Sequence, residues 1–507
     1  MAGPSNTKTA ASIRPAHNAF SLLDHQTGRY MRGKNKAWYL NGGLHHIMGW
    51  CGRGNTFKTA VAAYVSLVVA VRQMVEWFEV FDSEMSFNYE RLNDFLHNIP
   101  EANAALAQRG LDPIYAEDMI NEGKWNITTL VEQLGDEWWK SRRDDAEDRA
   151  KTKPKDMRVT PFFEIDGSFR KTTNPWIYLV DSFTELKVAS VEKMHDKTVV
   201  GNSDLNTEAM KSGAAKSQMM AQMPIVTGRG NYFVSLTAHV GDEIKMDQYA
   251  PSHRKLAGLK GDLKLKGIPE KFTFLTNNCY MATATAALLD DQKMPKFPHP
   301  NKEPTKGDTD LQVVRFEQLR GKSGPTGYFL DLIFSQAEGL LVGLTEFYFI
   351  LEICKGYGLD IKGNNMGFRL DIYPELYFTR RNVREFLATD AKFARAMAIT
   401  AACAYMHFFW IRHPNEMRMP MADLYDRIKA HGYDWEEILS NTVEYWYYED
   451  MADIINKPTL TAYTMQKMAL GEHHATYLKT HPKELKVVPI THSADAKIKS
   501  DDEILVD

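Results

Sequence analysis

Apolar residues arrive in short runs from about residue 36 to about 350, with amphipathic stretches between them. The runs predict strands at Leu44–Trp50, Trp77–Phe81, Trp176–Val180, Tyr232–Thr237, Leu311–Gln318 and Gly327–Phe334. Thr59–Met74 has the spacing of a helix directly after the first of them. Short buried runs alternating with helical stretches predict an α/β fold with a mostly parallel sheet. A long stretch, 82–175, separates the second and third strands; within it Leu130–Ala150 reads as a charged helix and 151–158 as a basic loop. Pro295, Pro298, Pro300 and Pro304 punctuate 288–310, which predicts an exposed loop. After about 360 the period turns helical. Asp434 and Glu437 have the spacing of a capping pair, and Trp435, Ile438, Leu439, Thr442 and Trp446 recur on one helical face. Four units follow from this pattern: an N-terminal arm (1–35), a core with insertions (36–355), a helical C-terminal domain (356–483) and a mobile acidic tail (484–507).

Composition narrows the class. With 507 residues, 44% hydrophobic and 25% charged, the chain is long enough for a full core and too apolar for wholesale disorder. Basic residues number 61 against 65 acidic, a net charge of −4, so any contact with nucleic acid must come from a local patch. The cysteines at 51, 279, 354 and 403 have neither zinc-site spacing nor disulfide density, which predicts unpaired thiols in a reducing compartment. The longest uncharged stretches, Thr59–Val71 and Ala396–Ile411, fall short of the ~20 residues a membrane span needs. No apolar leader is visible after Met1, so a cytoplasmic location and no membrane partner are expected. His45-His46 and His473-His474 lack companion ligands at metal spacing.

Four strand ends carry candidate chemistry. Gly52-Arg53-Gly54-Asn55-Thr56-Phe57-Lys58-Thr59 lies between a predicted strand and a predicted helix, and matches G-x-x-x-x-G-K-[ST] except for Phe57 in place of the second glycine. In such a loop backbone N–H groups wrap phosphate oxygens, the lysine reaches the terminal phosphates and the threonine hydroxyl meets Mg²⁺. Asp181 ends the apolar run Trp176–Val180, at the sheet edge where ligands bind in parallel sheets. Asp82-Ser83-Glu84 ends the second run and offers a carboxylate to polarise a water. His239 ends Ser235-Leu236-Thr237-Ala238, a position suited to sensing the terminal phosphate. Each has an ordinary structural counterpart, such as a glycine turn before a helix or an aspartate capping a turn. The ordered set of four carries the chemical reading. The aromatic run Tyr445-Trp446-Tyr447-Tyr448 reads as core and not as a base-stacking platform.

In that order the motifs resemble the RecA recombinases, and among them the phage recombinases of the UvsX type. Phe57-Lys58, Asp82-Ser83-Glu84 and His239 match the phage pattern, and Arg320-Gly321-Lys322-Ser323 falls at the turn between two β runs where that family carries a basic pair. The resemblance covers about 40–350 as ordered motifs; 85–175 and 360–480 have no counterpart in it. It implies a RecA-like P-loop ATPase core plus a helical C-terminal region. ATP and Mg²⁺ are the implied cofactors: Gly52–Thr59 would cradle the phosphates, with Lys58 on the β/γ-phosphates, Thr59 and Asp181 on the metal, Glu84 as the base and His239 as the sensor. Arg320 and Lys322 would reach the ATP of a neighbouring subunit.

Two mobile DNA-binding loops are implied as well. One spans about 187–222, with Lys193, Lys197, Lys211 and Lys216; the other spans about 242–272, with Arg254, Lys255, Lys260, Lys264, Lys266 and Lys271 and glycines at 258, 261 and 267. The implied activity is a DNA-dependent ATPase that assembles on single-stranded DNA and promotes homologous pairing and strand exchange in recombination and repair, of phage type and so in the host cytoplasm. Its implied partners are single-stranded DNA, further copies of the chain in a filament or ring, and single-strand-binding or loader proteins. Two alternatives share the core: a hexameric helicase of the DnaB class, and a non-hydrolysing structural protein, an idea that Phe57 keeps open.

Overall fold

The structure, a computed structural model, describes residues 14–85, 87, 89–102, 126–130, 133–196, 207–242, 263–322, 326–363, 367–409, 418–446 and 457–479. Its centre is a ten-stranded sheet. In chain order the strands are β1 (Ile47–Gly52), β2 (Trp77–Asp82), β3 (Asn126–Leu130), β4 (Trp176–Asp181), β5 (Tyr232–Asp242), β6 (Leu263–Leu265), β7 (Asn278–Ala287), β8 (Leu311–Gly321), β9 (Phe329–Ser335) and β10 (Gly339–Leu340). Across the sheet they run β10-β9-β8-β7-β1-β5-β4-β2-β3, with β6 on the end of β5. Every pair from β7 to β3 is parallel, while β8, β9, β10 and β6 pair antiparallel. The fold is thus α/β with a mostly parallel central sheet, as the alternating pattern predicts.

Strict alternation along the strands builds two separate cores. In β4, Ile177 and Leu179 face one side with Phe78, Val80 and Phe233, while Tyr178 and Val180 face the other with Phe81, Val234 and Leu236. Helix α1 (Lys58–Arg72) covers the first face; its Ala- and Val-rich sequence is apolar almost all round, and residues 60–71 are buried throughout. Helices α2 (Gly135–Arg149) and α3 (Glu208–Gly230) cover the second, where Trp138, Trp139, Met219, Met220 and Met223 fill the space. Cross-strand aromatic pairs fix the register: Trp50 stacks on Tyr280, and Trp77, Trp176 and Tyr232 form a ladder across β2, β4 and β5.

Several expectations change. The first strand begins at Ile47 and not at Leu44, because Leu44 is drawn off into a bridge with His17. β3 and β7 are additional strands, and Arg158–Phe163 pairs with Phe169–Thr172 as a separate hairpin. Beyond 356 the region is not purely helical. Leu359–Lys362, Gly367–Leu370 and Tyr373–Phe378 form a three-stranded antiparallel sheet before the helices begin. Among those helices is α4 (Ala391–Phe408), against which the short helix Ser21–Thr27 packs with every residue buried. Asp434 does cap the Trp435–Asn441 helix, its Oδ1 accepting from Glu437 N at 3.2 Å. That helix stops at Asn441, so Trp446 is buried from outside it, against Phe162. The 484–507 tail, residues 1–13, Tyr447 and Tyr448 lie outside the described residues. Cys51, Cys279, Cys354 and Cys403 are free and buried. Among the described residues no helix is long and apolar enough to cross a membrane.

Candidate functional site

Four parallel strands deliver the predicted chemistry to one edge. β1 ends at Gly52, β2 at Asp82 and β4 at Asp181, while β5 passes Thr237 and His239 near its end. Their registers align, with Gly52 opposite His239 and Asp82 opposite Asp181.

From Gly52 the chain turns into α1. A Cβ at Gly52 would stand 2.5 Å from Thr56 Oγ1 and 3.3 Å from Lys58 Cδ, so only glycine lets the turn close over the lysine. Asn55 and Phe57 both take left-handed backbone, with φ of 57° and 56°. Asparagine tolerates that conformation; for Phe57 it costs roughly 1–2 kcal/mol relative to a glycine. The ring offsets this by stacking on Phe334 at 4.8 Å, at the margin of the first core. The departure from the glycine pattern therefore keeps the backbone that glycine adopts freely. Lys58 is buried at the start of α1, and its Nζ donates to Arg53 O at 2.9 Å. Burial pulls its pKa down, and Asp181 and Glu84 act against that. Arg53 itself is exposed and pairs with Asp242 at 2.6 Å.

Asp181 is held from two sides. Thr59 Oγ1 donates to its Oδ2 at 2.8 Å, and Thr237 Oγ1 donates to its Oδ1. Burial pushes its pKa up; the two threonine bonds act the other way, and Glu84 and Asp82 add to the rise. Among the described residues no cation forms an ion pair with this carboxylate. A hydroxyl and a carboxylate oxygen this close are the donor set that suits a hard divalent cation. The raised pKa has a stability consequence. A carboxyl raised in the folded state favours folding while protonated, and that contribution is lost as pH rises through its folded pKa. Asp181→Asn is therefore expected to unfold at a higher temperature than the parent at pH 8 without metal or nucleotide. The gap should close toward pH ~4, where the free carboxyl also protonates. Thermal melts across pH check this; a variant less stable at pH 8 would contradict it.

Asp82, Ser83 and Glu84 divide the work at the end of β2. Asp82 is buried, and its two oxygens accept from Glu84 N (3.0 Å) and Phe87 N (2.6 Å), so it shapes the loop. Ser83 cross-links to Ser182, donating to its carbonyl at 2.8 Å and accepting from its N–H at 2.9 Å. Glu84 reaches out to His239, with Nε2 and Oε1 2.7 Å apart and both side chains partly exposed. Burial pushes the Glu84 carboxyl up, but hydrogen bonds from Ser182 and His239 and the charges of His239 and Lys58 outweigh it, holding it below the ordinary value. The direct Glu84–His239 contact and the Thr237–Asp181 bond are absent from the sequence reading. Thr237, two residues before His239 on the same strand face, is the signal that could have found the second.

Arg320 and Lys322 are not brought to this edge. Arg320 is level with Cys279, which is level with Gly49, and Lys322 N bonds Asn277 O beside Ile47. At ~3.3 Å per residue the Lys322 level is about 16 Å behind Gly52, on the other side of the sheet. Among the described residues Arg320 Nε is buried without a hydrogen-bond partner, and the Lys322 ammonium has its pKa lowered by burial and by Arg320 and Arg14.

The two implied loops fare differently. Much of 187–222 is helix: Ala189–His195 and the first half of α3. Lys216 is not available to a ligand backbone, since it is buried and its Nζ donates to Thr184 O at 2.5 Å and Gly267 O at 3.3 Å. Burial brings its pKa down to about 8. Lys193 and Lys211 are exposed on helices, and Lys197 lies outside the described residues. In 242–272, Lys264 and Lys266 are exposed on and beside β6, and Lys271 opens a short helix. Arg254, Lys255 and Lys260 lie outside the described residues.

No protein-family profile matches the chain, and no curated protein does. Among solved structures, the crystal structure of the RadB recombinase overlaps 59% of this chain and 92% of that one, at 15% identity and a TM-score of 0.28. A likeness that loose carries no argument about this chain, and the functional reading rests on the site itself.

Proposed function

We propose that the chain is a RecA-type, DNA-dependent ATPase that assembles on single-stranded DNA and promotes strand pairing and exchange. One observation carries the reading: Lys58, Thr59, Asp181, Glu84 and His239, separated by up to 181 residues in sequence, converge on one edge of a parallel sheet beside a glycine-containing turn and a helix start. That edge is where α/β sheets bind ligands, and the start of α1 adds the partial positive charge that favours phosphate.

ATP is the substrate in this reading. Lys58 exchanges its bond to Arg53 O for the terminal phosphates. Thr59 and Asp181 would hold Mg²⁺, which when bound neutralises phosphate charge. Glu84, ionised at neutral pH, orients the attacking water and accepts its proton. His239 holds Glu84 in place and connects that event to the end of β5, from which the basic 242–272 segment leaves. Phe57 gives little support to a non-hydrolysing role, because its backbone follows a path that glycine also takes.

Arg320 and Lys322 would then act between subunits. They sit on the opposite edge from their own Lys58, and a stack of copies brings one copy's rear edge to the next copy's front. The test mixes two full-length variants, Arg320→Ala/Lys322→Ala and Lys58→Ala. Each is expected to be inactive alone, and the mixture to recover DNA-stimulated ATPase through hybrid interfaces. Absence of recovery despite demonstrated co-assembly would contradict the shared site.

A further inference from the structure

At the edge where β1, β4 and β5 begin, a cavity of about 210 Å³ opens between the Arg158–Phe163/Phe169–Thr172 hairpin and the C-terminal ends of α2 and α3. Arg14, Arg149, Arg170, Lys171, Arg229 and His46 line it, and among the described residues no aspartate or glutamate does. Two of these cations are fixed. Arg149 donates from Nε to Gly230 O at 2.8 Å and lies 4.1 Å over the Trp176 ring, and Arg170 Nη1 is held by Glu164 at 2.5 Å. Arg14 lies across Gly228, where a Cβ would stand 3.4 Å from its Nη2.

The ordinary role for such arginines is to cap helix ends, and Arg149 does this for α3. The charge exceeds that need. Two helix C-termini present about −1 in all. Glu164 removes one further charge, which leaves about +3 from the five lining arginines and lysines. His46 registers the surplus. Its Nδ1 bonds Tyr232 O at 2.7 Å, yet its pKa is pushed down to about 4, by burial first and then by neighbours that include Arg14 and Arg170. The cavity is smaller than the ~300–1,000 Å³ typical of pockets that enclose a whole organic ligand. It suits a compact, multiply charged anion, and guanidinium forks match phosphate oxygens in pairs.

We propose that this cavity binds a phosphate group, in a site separate from the Lys58 edge and independent of ATP hydrolysis. His46 and Gly52 are six residues apart along β1, so the two sites are about 20 Å from each other at ~3.3 Å per residue. A phosphodiester of a nucleic-acid strand and a free inorganic phosphate compound present the same chemistry here.

The test uses full-length Lys58→Ala protein, which weakens the other phosphate site, and inorganic pyrophosphate as the probe in calorimetry. Binding is expected, and Arg14→Glu/Arg229→Glu in the same background is expected to weaken it roughly tenfold or more, the scale of one or two lost charge-assisted bonds. Both residues are exposed and, among the described residues, neither forms an ion pair; circular dichroism verifies the fold. Lys306→Glu/Lys355→Glu, which changes the charge equally at distant exposed positions, should leave binding unchanged. Displacement of pyrophosphate by a short oligothymidylate identifies the diester as the physiological source; failure to displace it identifies free phosphate compounds. No pyrophosphate binding, or equal weakening by both double variants, would overturn the site. Neither result bears on ATPase activity, so the two proposals fail separately.

Discussion

Lys58→Ala is expected to lower ATP turnover by about 10³-fold or more while the fold survives. Removing one preorganised group from a site of developing charge costs ~10²–10³ in rate, and here the same group also supplies ground-state phosphate binding. The structure separates this loss from a folding defect. Lys58 is buried at the first turn of α1, and its ammonium donates to a loop carbonyl; burial is a net cost there, only partly offset by the charges of Asp181 and Glu84. Substitution removes that cost together with the packing of the stem. Paired measurements of steady-state ATPase and thermal unfolding check both halves. Near-normal turnover in a folded variant would remove the phosphate assignment for the Gly52–Thr59 turn.

Glu84→Gln is expected to keep nucleotide binding and slow hydrolysis by ~10²-fold or more, the usual contribution of a general base. The amide retains an oxygen for His239 Nε2, so the geometry at the end of β5 is preserved and the charge alone is lost. Because the carboxyl is held below its ordinary range, it is ionised throughout pH ~6–8, and the parent rate should show no titration of this group there. DNA complexes of the variant should live longer, since their nucleotide persists. Unchanged single-turnover hydrolysis would place the base elsewhere. Asp82, whose two oxygens each accept one backbone N–H, is then the next candidate.

The site was more legible in the sequence than the architecture around it. Trp77–Phe81, Trp176–Val180 and Tyr232–Thr237 are predominantly apolar runs because their strands are buried on both faces, and each leads to polar residues of the candidate site. β7 escaped notice because its second half, Ala282–Ala287, extends past the end of β1 and leaves the core, so alanine and threonine replace large apolar residues. The Leu359–Phe378 sheet is half exposed and its strands are only four to six residues long, too short for period alone to declare them. The error at 187–222 has a different origin. The residues of α3 are rich in alanine, methionine, glutamine and lysine, all strong helix formers, and the family resemblance implied a loop against that local preference. Side-chain pairings such as Glu84–His239 depend on strand order across the sheet, which no local pattern contains.

The central claim is tested most directly by steady-state turnover of Mg²⁺-ATP by the full chain, with and without single-stranded DNA. The account predicts measurable hydrolysis that single-stranded DNA stimulates and that Glu84→Gln removes in both conditions. Tight Mg²⁺-ATP binding with no hydrolysis in either condition would contradict it and leave the chain a nucleotide-binding structural protein.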